Sequence, residues 1–178
     1  MATAMHRPDA AEYSPYFARY IDRVPEGDIV AQLRENGATL DATLAALDDA
    51  RGAHRPDPAK WSVSQIVGHL IDVERVFVHR ALHIARGDTA PMSSFDQDEY
   101  AAAAGSDARR LSDLREELGA LRESTIRFFA ALPAGAWTRI GVAGGKDLSV
   151  RATAHIIVGH AWHHLQALAE RYDVPTIR

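Results

Sequence analysis

Residues 149–172 read SVRATAHIIVGHAWHHLQALAERY. Val150, Ala154, Ile157, Ala161, Leu165 and Leu168 recur at three- and four-residue intervals, which draws one apolar stripe along a helix. Ser149 is a candidate N-cap, and Pro175 lies just past the end. His160 and His164 sit four apart on that stripe, so both imidazoles face the interior of whatever the helix packs against. His163 lies on the flank, and His155 points away.

Working outward, three more segments carry the same period. Residues 28–49 place Ile29, Leu33, Leu40, Leu44 and Leu47 on one face, after Pro25 and Gly27. Residues 62–86 open on Ser62 and Gln65, a capping box, and Gly87 is a C-terminal stop. Their stripe is Ile66, His69, Val73, Val76, Phe77 and Ile84. Residues 107–132 carry Leu111, Leu114, Leu118, Leu121, Ile126 and Phe129, with Pro133 beyond. Four helices of five to six turns in 178 residues predict an all-α fold, a four-helix bundle in a single domain over 1–178. Residues 1–25 are expected to be an extension packed on that bundle. Residues 87–97 read as a crossover, with a helical turn around 95–103. Gly141, Gly144 and Gly145 favour a turn or loop over strands at 137–142.

Composition closes off several functions. Lys and Arg number 20 against 24 Asp and Glu, with no local basic block, which argues against nucleic-acid binding. The chain has no cysteine, so disulfides, thiolate metal sites and thiol nucleophiles of its own are excluded. Its first 13 residues lack the apolar run of a signal peptide, and the most apolar stretch holds four histidines. The expectation is a cytoplasmic protein without a membrane partner. No Gly-x-Ser-x-Gly elbow, His-Glu-x-x-His pair or phosphate-cradling glycine loop is present.

That leaves the histidines. A pair four apart on a helix can hold one ion, but it also suits two core histidines hydrogen-bonded in place. His69 replaces an apolar residue in the stripe of the second long helix. With His160 and His164 it completes a trio that can bind a divalent metal, zinc, nickel or ferrous iron, and leave a position open for a small-molecule substrate. Asp72 and Glu74 follow His69 closely. Either could orient a ligand histidine or act as a base, or could pair with Arg75 or Arg80 at the surface. Trp61 reads as a packing residue against Gln65 and Ile66. His79 and His83 suit a solvated face near a helix C-terminus.

The stretch KWSVSQIVGHL at 60–70 resembles the opening of the second helix in the DinB-like (YfiT-like) superfamily, and HAWHHLQ at 160–166 resembles its C-terminal His-x-x-His-His signature. The resemblance runs from about Tyr13 to Tyr172. It implies an up-up-down-down bundle with long crossovers, a divalent metal held by His69, His160 and His164, and a homodimer. Activities across that superfamily include transferases and isomerases that use a low-molecular-weight thiol, and metal-dependent hydrolases. The expectation drawn from it is a metal-dependent enzyme that activates a thiol cofactor or water against a small electrophile. The alternatives are a hydrolase, or a non-enzymatic, stress-associated metal-binding or dimerisation module.

Overall fold

The computed structural model describes residues 6–177. Four long helices form the body: α2 (Ile29–Ala45), α4 (Val63–Ala85), α6 (Leu111–Ala130) and α7 (Val150–Arg171). Three short ones, α1 (Ala18–Ile21), α3 (Asp49–Gly52) and α5 (Gln97–Ala103), lie in the connections. The only strands among the described residues are β1 (Ile140–Ala143) and β2 (Lys146–Ser149), an antiparallel pair. No helix there is long and apolar enough to cross a membrane.

The helix boundaries follow from local polar chemistry. Ser62 and Gln65 close a reciprocal capping box on α4. Ser149 Oγ accepts from the Ala152 amide at 3.0 Å and opens α7. Two expected boundaries move inward. The first long helix stops at Ala45 because Asp48 caps a separate short turn, accepting from the Arg51 amide at 2.8 Å. The third begins at Leu111 rather than near 107, since Asp107 is drawn off to the Ser62 hydroxyl at 2.5 Å and to Arg55. The Leu111 amide is met instead by Asp49 Oδ1 at 2.8 Å. The region expected to be loop around Gly141 forms a hairpin. Gly144 and Gly145 both take positive φ, 58° and 72°, the conformation a two-residue hairpin turn demands.

The four-helix bundle and its long crossovers are as expected, but the helix directions are not up-up-down-down. Along α4 and α6, Ser64 lies by Gly52 and Leu111 while Glu74 meets Arg122, so these two helices run parallel. On the far side, Trp61 meets Tyr172 and His69 meets His160, so α4 and α7 are antiparallel. Arg122 meets Leu33 while Arg115 pairs with Asp41, so α2 opposes α6. The order is therefore up-down-down-up. Parallel α4 and α6 are what require the long connection between them.

One helix departs from an amphipathic pattern. From Val150 to Ala161 every residue of α7 is buried. Residues of the N-terminal segment cover its outer face, where Arg151 is gripped by Glu12 and Asp9. At Gly159 the backbone of α1 comes so close that a Cβ there would stand 2.0 Å from the Tyr20 carbonyl oxygen, so only glycine fits. The apolar core falls into two clusters, one built around Phe129 and the other around Leu114. Between them lies a polar level to which every long helix contributes: Asn36, His69 with Glu74, Arg122, and His160 are all buried.

His155, on the α7 face away from that level, bonds through Nδ1 to the Arg151 carbonyl oxygen at 2.8 Å. Burial pushes its pKa down from 6.5 to about 4. The unfolded chain therefore takes up this proton first as pH falls. Stability should be full above pH 6.5 and decline between 6.5 and about 4, by roughly 3 kcal/mol for this group. Urea titrations of metal-free protein from pH 8 to 4 check this. A midpoint that stays flat from pH 7 to 5 would contradict it.

Candidate metal centre

The trio assembles because α4 and α7 pack antiparallel. His69 is on the second turn of α4, and His160 and His164 are one turn apart on α7. His160 Nε2 lies 3.0 Å from His69 Nε2 and 3.1 Å from His164 Nε2. One nitrogen from each ring falls within 4.8 Å of the others, and no carboxylate among the described residues joins the group. His69 and His160 are buried, and His164 is partly so.

Electrostatics keep these rings neutral. Burial lowers the His69 pKa to about 4, with a further push from His163. Burial also holds His160 and His164 well below 6.5, and the neighbouring rings add to it. At pH 7 all three therefore carry a free lone pair, the state a metal ligand needs. Three Nε2 atoms facing one another cannot satisfy themselves. A single N–H can serve one neighbour, and the remaining lone pairs repel. A tetrahedral ion bound at 2.0–2.1 Å spaces its nitrogens by about 3.3 Å, close to what His160 keeps to each partner. The donor set fits a borderline divalent cation such as zinc or nickel.

Aromatic rings wall the group. Trp61 lies 4.8 Å from His69 between ring centroids, so it is more than a staple on Ile66. Tyr20 stands edge-on to His160 at 5.2 Å and to His163 at 5.6 Å. A cavity of about 430 Å³ reaches His160, lined among others by Tyr20, Phe77, Arg80 and Lys146. A second, of about 420 Å³, reaches His163 and His164 past Lys60, Trp61 and Arg171.

The acidic candidates do not reach the rings. Asp72 is partly buried, its pKa raised by burial, with Arg75 and Glu117 as its charged neighbours. Glu74 pairs with neither Arg75 nor Arg80. Its carboxylate takes the Arg122 guanidinium, at 2.8 Å from Nη2. Arg75 goes to Glu117, and Arg80 to the Ser93 carbonyl. His79 is exposed, and His83 holds the Ala90 carbonyl oxygen at 2.9 Å.

Two wall residues were not singled out from the sequence. Tyr20 follows Tyr16 by four, an aromatic pair on one helical face. Arg80 is eleven residues after His69 and seven after Val73, so it interrupts the apolar stripe of α4. A charge within an apolar stripe is a signal that could have found it.

A family model described as the DinB superfamily matches residues 32–168. Two solved structures share the fold. YfiT from Bacillus subtilis, described as a probable metal-dependent hydrolase with an unusual four-helix bundle topology, matches with a TM-score of 0.73 at 16% identity, over 97% of each chain. A mycothiol-dependent maleylpyruvate isomerase matches with a TM-score of 0.68 at 14% identity, over 88% of this chain and 63% of that one. No curated protein matches the sequence.

Proposed function

The chain belongs to the DinB superfamily, and from that premise we propose that His69, His160 and His164 hold one divalent cation, zinc or nickel, in an enzyme that joins a low-molecular-weight thiol to a small electrophile. The observation that carries this reading is the meeting of three neutral imidazoles at His160 Nε2, 3.0 and 3.1 Å from its neighbours. Such an ion, when bound, favours thiolate over thiol and makes a nucleophile available at neutral pH.

The chain's own residues do the rest. His69, His160 and His164 stay unprotonated because burial disfavours their charged forms. Trp61 and Tyr20 pack against the rings of His69 and His160 and hold them in place. His163 lines the same cavity as His164, and burial lowers its pKa, so near neutral pH it is unprotonated and passes on to solvent, rather than holds, the proton a thiol releases. Asp72 stays outside the histidine group, with Arg75 and Glu117 as its charged neighbours. The thiol must come from outside, since the chain has no cysteine. Two cavities reaching different histidines suit two reactants better than one.

Hydrolysis, with water in place of thiol, is the second reading. It is supported by the near-complete overlap with YfiT, itself described as a probable metal-dependent hydrolase. Turnover of an activated electrophile by zinc- or nickel-loaded protein separates them. The thiol reading expects turnover only when a small thiol is added. Turnover in its absence would favour the hydrolase. Metal binding without turnover of any electrophile would favour a non-enzymatic module.

A further inference from the structure

Three arginines are buried among the described residues, and two of them are explained. Arg122 is met by Glu74, and Arg151 by Glu12 and Asp9. The third, Arg80, is 7% exposed, and no carboxylate lies within 4.0 Å of it among the described residues. Its one hydrogen bond among the described residues runs from Nη2 to the Ser93 carbonyl oxygen at 2.9 Å. Four of its five N–H groups are left for another partner. Burial lowers the pKa of this guanidinium, with no acidic neighbour to offset it. A buried charge without a counter-ion is costly, and a protein keeps one where something else supplies the opposite charge.

The place of Arg80 says what that is. It lines the cavity that reaches His160. Its guanidinium carbon stands 5.1 Å from the Phe77 ring centroid and 5.6 Å from that of Phe95, which also line this cavity. Lys146 adds a second positive charge at the exposed rim. Asp96 and Asp98 are at the same rim, both exposed to solvent, and Asp96 Oδ1 is engaged by the Asp98 and Glu99 amides. We propose that this cavity takes a small carboxylate-bearing molecule, its carboxylate on Arg80 and its apolar body against the Phe77 and Phe95 rings. A guanidinium fork matches the two oxygens of a carboxylate. One buried cation balances one such charge, whereas a phosphate dianion asks for more. The proposal names the substrate class of the enzyme proposed above, and rests on the histidine trio being its reaction centre.

Benzoate is the probe, benzamide its uncharged counterpart, and binding is followed by ligand-observed NMR on chelator-treated protein, so that no ion can hold the carboxylate. Wild type should bind benzoate at least tenfold more tightly than benzamide. Arg80→Met should abolish that preference while its melting temperature stays level or rises, since an uncompensated charge is removed. Arg80→Lys should keep part of it. Equal binding of the two probes by wild type, or undiminished benzoate binding by Arg80→Met, would overturn the proposal. A fall in melting temperature of Arg80→Met with the preference intact would likewise mark Arg80 as structural. Zinc uptake is measured separately on the same proteins after reloading with zinc and dialysis. Protein that binds benzoate through Arg80 yet takes up no zinc keeps the carboxylate site and loses the reading of the centre.

Discussion

Arg122→Ala should cost about 3–5 kcal/mol of folding stability, a large part of what a domain this size has. The reason is what stays behind. Arg122 donates to both oxygens of Glu74, to Asn36 Oδ1 at 2.8 Å and to the Leu33 carbonyl at 3.2 Å. Glu74 is 3% exposed, so removing its partner strands a carboxylate in the core. Gly37 belongs to the same arrangement, because a Cβ there would come within 2.9 Å of Arg122 Cγ. Replacing both charges, as Arg122→Met with Glu74→Leu, should be milder than either single change, since nothing ionised is then left buried. Urea titration checks both, read as a shift in midpoint at unchanged slope. An Arg122→Ala protein within 1 kcal/mol of wild type would mean that the pair does not hold the polar level together.

His160→Ala should abolish stoichiometric metal binding. His160 is the ring whose Nε2 touches both others, so its loss leaves two donors where three met. Disturbing a residue that merely supports a ligand lowers metal affinity by roughly 10–100-fold. Deleting the central donor should exceed that. Zinc content after dialysis should fall from about one ion per chain to under a tenth, with thiol-dependent turnover lost alongside. His155→Ala is the matching control. It removes another buried histidine of α7, one bonded to the Arg151 carbonyl rather than to the trio, and should keep its zinc. Retention of zinc by His160→Ala, or equal loss in both variants, would contradict the assignment.

The sequence reached the site further than it reached the topology. Apolar periodicity and the caps at Ser62 and Ser149 located the long helices, because those signals are local. His69, His160 and His164 could be joined because each interrupts an apolar stripe, which leaves little choice but the interior. The direction of α6 could not be read. It depends on which partner Arg122 and Asp107 find across the fold, and these partners are 48 and 45 residues away. The enclosure of α7 was hidden for a similar reason. Its cover comes from Glu12 and Tyr20, about 140 residues earlier in the chain. Asp49 looked like the end of the first helix, yet its carboxylate serves the first amide of α6. The hairpin was legible in principle, since paired glycines beside Val142 and Leu148 carry a turn signal that outweighs their poor strand propensity.

The central claim is that three imidazoles share one ion. X-ray absorption at the zinc edge of zinc-loaded protein tests it most directly. The arrangement of His69, His160 and His164 predicts three imidazole nitrogens at 2.0–2.1 Å, with any further scatterer an exchangeable light atom. A first shell with fewer than three imidazoles, or one unchanged by His69→Ala, would contradict it.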